Sequence, residues 1–127
     1  MSLSNYLENA LINAVLRNTA YSSPATVYVA LYTTDPGEDG SGTEVSGGSY
    51  ARQAITFAAP TNGVSSNSAV ITFPFATASW GTVTHFGILD ASTGGNLLFY
   101  GALGASKAVT SGNTIVVPIS AITCSLE

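Results

Sequence analysis

The sequence predicts a mainly β fold: an antiparallel β-sandwich of jelly-roll style, with about eight strands and one N-terminal α-helix. Three observations lead there. An apolar stripe of helical period occupies the first residues, a two-residue alternation replaces it after Pro24, and short apolar runs then recur between turn-forming clusters as far as Glu127. A length of 127 residues fits a single domain, 1–127, with a hydrophobic core that needs no metal or disulfide staple.

The helix is expected over about 3–17. Leu3, Leu7, Leu11, Ala14 and Val15 recur at i, i+4, i+8, i+11 and i+12, which places them on one stripe. Ser2 or Ser4 can cap its start, Glu8 lies near the positive end of its dipole and Arg17 lies in the last turn. The segment before Pro24 ends it. In "TVYVALYT", Val27, Val29 and Leu31 face one way, and Tyr28, Ala30 and Tyr32 the other. Both sets are apolar, so this strand is expected to be covered on both faces, with the helix over one of them. A long loop of glycines and acids follows, about 34–49. Further strands are expected at 50–58, 67–73, 83–89, 97–102, 105–110, 113–118 and 120–126, with hairpin turns at "STGG" (92–95) and "TSGN" (110–113). No internal repeat is visible.

Composition excludes several functions. Charged residues make up 8% of the chain, against about a quarter in an ordinary domain, and the net charge is −4. Arg17, Arg52 and Lys107 are scattered and form no basic patch, so nucleic acid and anionic membrane are not expected partners. No apolar run approaches the roughly 20 residues of a membrane span. The first residues lack the basic start and uninterrupted apolar centre of a secretory signal. Cys124 is the single cysteine and is expected to be a small apolar residue in the last strand. So weakly charged a surface offers little resistance to association, which suggests that much of it meets other protein.

No motif requires a cofactor or a metal. Asp35, Glu38, Asp39 and Glu44 lie close together, but EF-hand spacing fails because Gly37 and Ser46 fall where oxygen ligands belong. His85 is the only histidine, and the nearest echo of a nucleophile elbow, Gly47-x-Ser49-x-Ala51, leads from a loop into a strand rather than from a strand into a helix. Paired carboxylates drawn from Asp35, Glu44 and Asp90 carry almost no specificity. An enzyme is not expected. Protein-interface candidates are Leu7 and Leu11 on the helix, Glu44 in the loop, Tyr50 and Arg52 spaced by two on one strand, Trp80, and His85. Arg52 is expected to pair with a carboxylate, Glu44 or Asp90, or else to reach across a subunit boundary. Trp80 is expected either to plug one end of the sandwich or to anchor a partner.

Three segments carry a resemblance. They are "SNYLENALINAVLRNTAYSSPATVYVALYTTDP" (4–36), "GTEVSGGSYARQAITF" (42–57) and "TFPFATASWGTVTHFGILDASTGGNLLFYGAL" (72–103). Together, from the helix to about Leu103, they resemble a family of small tailed-bacteriophage proteins usually labelled tail fibre proteins, and are similar in size and style to some cyanophage capsid cement proteins. The resemblance implies a non-enzymatic virion part assembled in the bacterial host cytoplasm. Its partners would be other virion proteins, the major capsid protein or tail proteins. The first expectation is a capsid decoration or cement protein, assembled as a homo-oligomer with a trimer favoured. The alternative is a tail fibre or tail-tip module that touches the host surface, and a small carbohydrate-binding module or hydrolase is a remote third.

Overall fold

The computed structural model describes residues 1–126. Among them are one helix and nine strands, all paired antiparallel. The strands are β1 (Ser2–Leu3), β2 (Val27–Tyr32), β3 (Gln53–Ile55), β4 (Val64–Ser66), β5 (Ile71–Thr72), β6 (Gly81–Leu89), β7 (Leu97–Val109), β8 (Val116–Val117) and β9 (Thr123–Ser125). They divide five, two and two: one sheet in the order β1-β7-β6-β2-β3, and two ladders, β4-β9 and β5-β8.

Helix α1 runs over Asn5–Leu16, shorter at both ends than the apolar stripe suggests. Leu3 belongs to β1 and pairs with Phe99. Ser4 is the N-cap, its hydroxyl accepting from the Leu7 amide at 3.2 Å. The same hydroxyl donates to the Leu97 carbonyl, and the Ser4 amide donates to the Leu98 carbonyl at 2.9 Å, so one buried serine both starts the helix and ties it to β7. The helix stops well before Pro24 because Asn18 turns left-handed (φ 51°) and the Thr19 amide returns to the Asn13 carbonyl.

Strand β2 has the two apolar faces expected. Val29 and Leu31 enter the main core with Ile55, Ile71, Phe73, Trp80, Val83, Ile88, Val109, Ile115 and Ile122, drawn from the sheet and from the segments that carry the two ladders. Ala30 and Tyr32 join Leu89 and Leu97 on the opposite, outer face, where α1 lies. The 34–49 segment folds back beside the end of β2 and towards α1: Val45 donates to the Leu31 carbonyl, Thr33 to the Thr43 carbonyl, and Asn5 to the Glu38 carbonyl.

The expected strands 97–102 and 105–110 are one long strand, β7, with a break in register. Ala102 pairs with His85 and Lys107 with Val83, so one residue of β6 opposes four of β7, Leu103 to Ser106. The break reverses parity. Sequence alternation puts Val83 on the face of His85, Gly87 and Leu89, whereas Val83 is fully buried in the main core and Leu89 packs on the outer face. "STGG" does close a hairpin, held by Asp90, whose carboxylate accepts from the Asn96 amide at 2.7 Å and side chain at 3.0 Å. "TSGN" is a turn but closes no hairpin, because β8 pairs with β5.

Candidate functional site

Three of the sequence candidates meet at one point. The Arg52 guanidinium makes a two-pronged contact with Glu44, Nε to Oε2 at 2.9 Å and Nη2 to Oε1 at 2.8 Å. Its Nη1 donates to the carbonyls of Ala91 and Gly94, each at 2.8 Å. Tyr50 donates its hydroxyl to Glu44 at 2.7 Å and accepts from the Leu31 amide at 3.0 Å. One cluster thereby joins the end of the 34–49 segment, strand β2 and the β6–β7 turn. The carboxylate partner of Arg52 is Glu44 of the same chain; Asp90 is engaged by Asn96.

Electrostatics follow the geometry. Burial pushes the Glu44 carboxyl up, but hydrogen bonds from Arg52 and Tyr50 and the guanidinium charge outweigh it, and the carboxyl titrates below its ordinary range. Arg52 is held more firmly protonated by its bond to Glu44. Burial, reinforced by the bond to Glu44, raises the Tyr50 phenol far above its ordinary value, so it stays a donor at every physiological pH. Near neutral pH the carboxylate, guanidinium and phenol are therefore engaged with one another in a single protonation state.

Beneath it lies an aromatic trio. Tyr50 stacks over Phe73 (ring centres 6.2 Å apart, planes at 11°) and meets Trp80 edge-on (5.4 Å, 84°). Trp80 is buried in the main core and donates its indole N–H to the Gly48 carbonyl. Gly47 and Gly48 both have left-handed φ, 75° and 56°, which lets the loop fold over the indole. Within this chain Trp80 is a residue of the main core.

The remaining candidates lie elsewhere. Leu7 is buried between α1 and the sheet, and Leu11 is half-buried. The helix presents a different apolar set to solvent: Ile12, Val15 (76% exposed) and Leu16 (76% exposed). Val15 was expected on the inner stripe. Leu7, near the start of α1, is buried, and Val15 and Leu16 in its last turn are exposed. His85 lies on the outer face, with Nδ1 2.8 Å from the Thr84 hydroxyl and Nε2 3.9 Å from an Asp35 carboxylate oxygen. It lies two strands from Glu44, with Tyr32 between them, and shares none of the cluster's hydrogen bonds. Among the described residues, no group of three or more His, Cys, Asp or Glu side chains is placed to hold a metal.

Sequence reading missed Asn67. It is fully buried, its amide nitrogen donating to the carbonyls of Ala69 (3.0 Å) and Pro118 (2.9 Å) and its oxygen accepting from the Ile122 amide at 2.9 Å. A lone asparagine among serines carries no signal that it will staple a segment some fifty residues away.

Compared with known protein families, the chain matches the model described as podophage GP4 fiber I protein gp80 over residues 2–125. No curated protein matches it.

Proposed function

The chain belongs to the podophage GP4 fiber I protein gp80 family, and on that premise we propose that it is a non-enzymatic structural subunit of a phage tail fibre. The observation that carries this reading is the family match itself, which takes in the helix, the main sheet and both ladders. The cluster of Glu44, Tyr50 and Arg52 supports it from the chemical side. These partly buried groups are directed at one another and at the backbone, as in a part built to hold shape.

Association with other virion proteins runs through the outward stripe of α1 in this reading. Ile12, Val15 and Leu16 are exposed apolar residues within one and a half turns of α1, the kind of surface that marks a protein contact. A closed symmetric oligomer, a trimer favoured, would bury such patches in equivalent positions.

The fibre is favoured over the capsid decoration expected from sequence because the family description names a fibre. Copy number separates the two. Mass spectrometry of purified particles, calibrated on the major capsid protein, should find tens of copies, and antibody labelling should mark the tail. A count matching the number of capsid subunits, with label over the head, would return the protein to the capsid.

A further inference from the structure

An open cleft of about 490 Å³ lies on the outer face of the main sheet, between the start of α1, the 38–42 segment and the β6–β7 turn. Leu89, Leu97 and Tyr32 line its apolar floor. Gly87 makes that floor possible: a Cβ there would stand 2.8 Å from the Leu97 side chain and 2.9 Å from the Tyr32 ring. Tyr32 is 4% exposed. Among the described residues no side-chain polar atom is both fully buried and without a partner. Among the described residues the Tyr32 hydroxyl has no hydrogen-bond partner, and Tyr32 lines the cleft. Burial, reinforced by the nearby Glu44 carboxylate, raises this phenol, which therefore stays protonated and ready to donate.

The rim limits what can enter. Tyr6 stands there 43% exposed, beside Asn5 and the carboxylates of Glu38 and Asp39. Arg52 closes one end, but four of its N–H donors are already taken by Glu44, Ala91 and Gly94. An anion would meet two carboxylates and no free cation. An apolar ligand would strip water from the rim groups and give nothing in return. A neutral polyhydroxylated ring suits both halves of the cleft. Its C–H face can lie on an aromatic ring, and its hydroxyls can donate to carboxylates and accept from phenol and amide groups.

We propose that this cleft binds a neutral saccharide unit, stacked on Tyr6 and hydrogen-bonded by Tyr32, Glu38 and Asp39. This goes beyond the structural reading, and rests on the fibre assignment only for where the sugar is met.

The test is a titration of the purified, isotope-labelled chain with glucose, galactose, mannose, N-acetylglucosamine, glucuronate and spermidine, followed by amide chemical shifts. Each probe is taken to about 50 mM, since a single-sugar contact falls in the millimolar range. At least one neutral sugar should give saturable shifts around Tyr6, Tyr32 and Asn96. Tyr6→Ala should weaken that binding at least about tenfold with the thermal melt unchanged. Should Tyr6→Ala fold poorly, Tyr32→Phe keeps the ring, removes the hydroxyl and should weaken binding likewise. Absence of saturable shifts with every neutral sugar overturns the proposal. So does binding of glucuronate or spermidine alone, or sugar binding that neither substitution affects. Because the titration uses the isolated chain and the fibre assignment is tested on particles, either can fail without the other.

Discussion

The indole Nε1 of Trp80 donates to the carbonyl oxygen of Gly48 at 2.9 Å, joining residues 32 apart in sequence. The contact exists because Gly48 has no side chain. A Cβ there would stand 2.9 Å from both the Ala78 carbonyl oxygen and the indole nitrogen, and φ is 56°. Gly48→Ala should therefore destabilise the fold by about 2–3 kcal/mol, summing backbone strain and a displaced indole, and should shift tryptophan fluorescence to the red. Gly47 also has a left-handed φ, 75°, but nothing lies within 4 Å of its Cβ position. Gly47→Ala should cost only about 1 kcal/mol and leave the fluorescence alone. Equal losses for the two would show that the loop does not seat Trp80 as described.

Arg52→Met leaves the Glu44 carboxylate poorly exposed and without its main partner. A loss of about 2–4 kcal/mol is expected in denaturant unfolding. Arg52→Lys should recover little of it, because one ammonium cannot reach Glu44 and two carbonyls in one plane. Adding Glu44→Leu to Arg52→Met should restore part of the loss, since the uncompensated charge goes with it.

The same pair sets acid sensitivity. The folded Glu44 carboxyl titrates below its ordinary value of 4.5. Its contribution is therefore fully present above that value and is lost as pH falls through the lower folded value. Thermal melts should be flat in this respect near neutrality and decline below about pH 4.5. The Arg52→Met/Glu44→Leu variant should show a shallower decline over the same window.

Asn67→Leu removes three hydrogen bonds and leaves the amide of buried Ile122 without its acceptor. About 3 kcal/mol should be lost. Hydrogen exchange should locate the damage in β9 and the 118–122 segment rather than in the main sheet.

Replacing Val15 and Leu16 together by serine should change the melting free energy of the isolated chain by no more than about 0.5 kcal/mol, because both are exposed. Light scattering should show any oligomer dissociating, and the variant should be under-represented in particles. An unchanged oligomer and normal incorporation would remove the outer stripe of α1 from the interface.

The legible parts of this fold are those where pattern had room to repeat. Strand β2 is six residues with two apolar faces, and both faces are covered. The Arg52–Glu44 pair was legible in outline because cations are so few that each needs a purpose, though only the fold could choose Glu44 over Asp90. Strands β4, β5, β8 and β9 have two or three residues each, too few to show a period. The side on which Val83 points was hidden for another reason: alternation breaks between Val83 and His85, where pairing with β7, about twenty positions later, is irregular. The outward stripe of α1 was missed because an amphipathic pattern says which residues are apolar, not which of two apolar sides the sheet will cover.

The widened stretch of β7 has a bearing on growth. In an assembly where many identical chains stand side by side, a long, straight, unpaired strand would recruit a neighbour's strand, and then another, without limit. Beyond the two residues that β1 covers, the rim of β7 swells out of line over Leu103–Ser106 and then presents the ammonium of Lys107. A second copy laid against that rim finds its ladder interrupted and a positive charge facing its own. A rim of this shape disfavours edge-to-edge addition of strands.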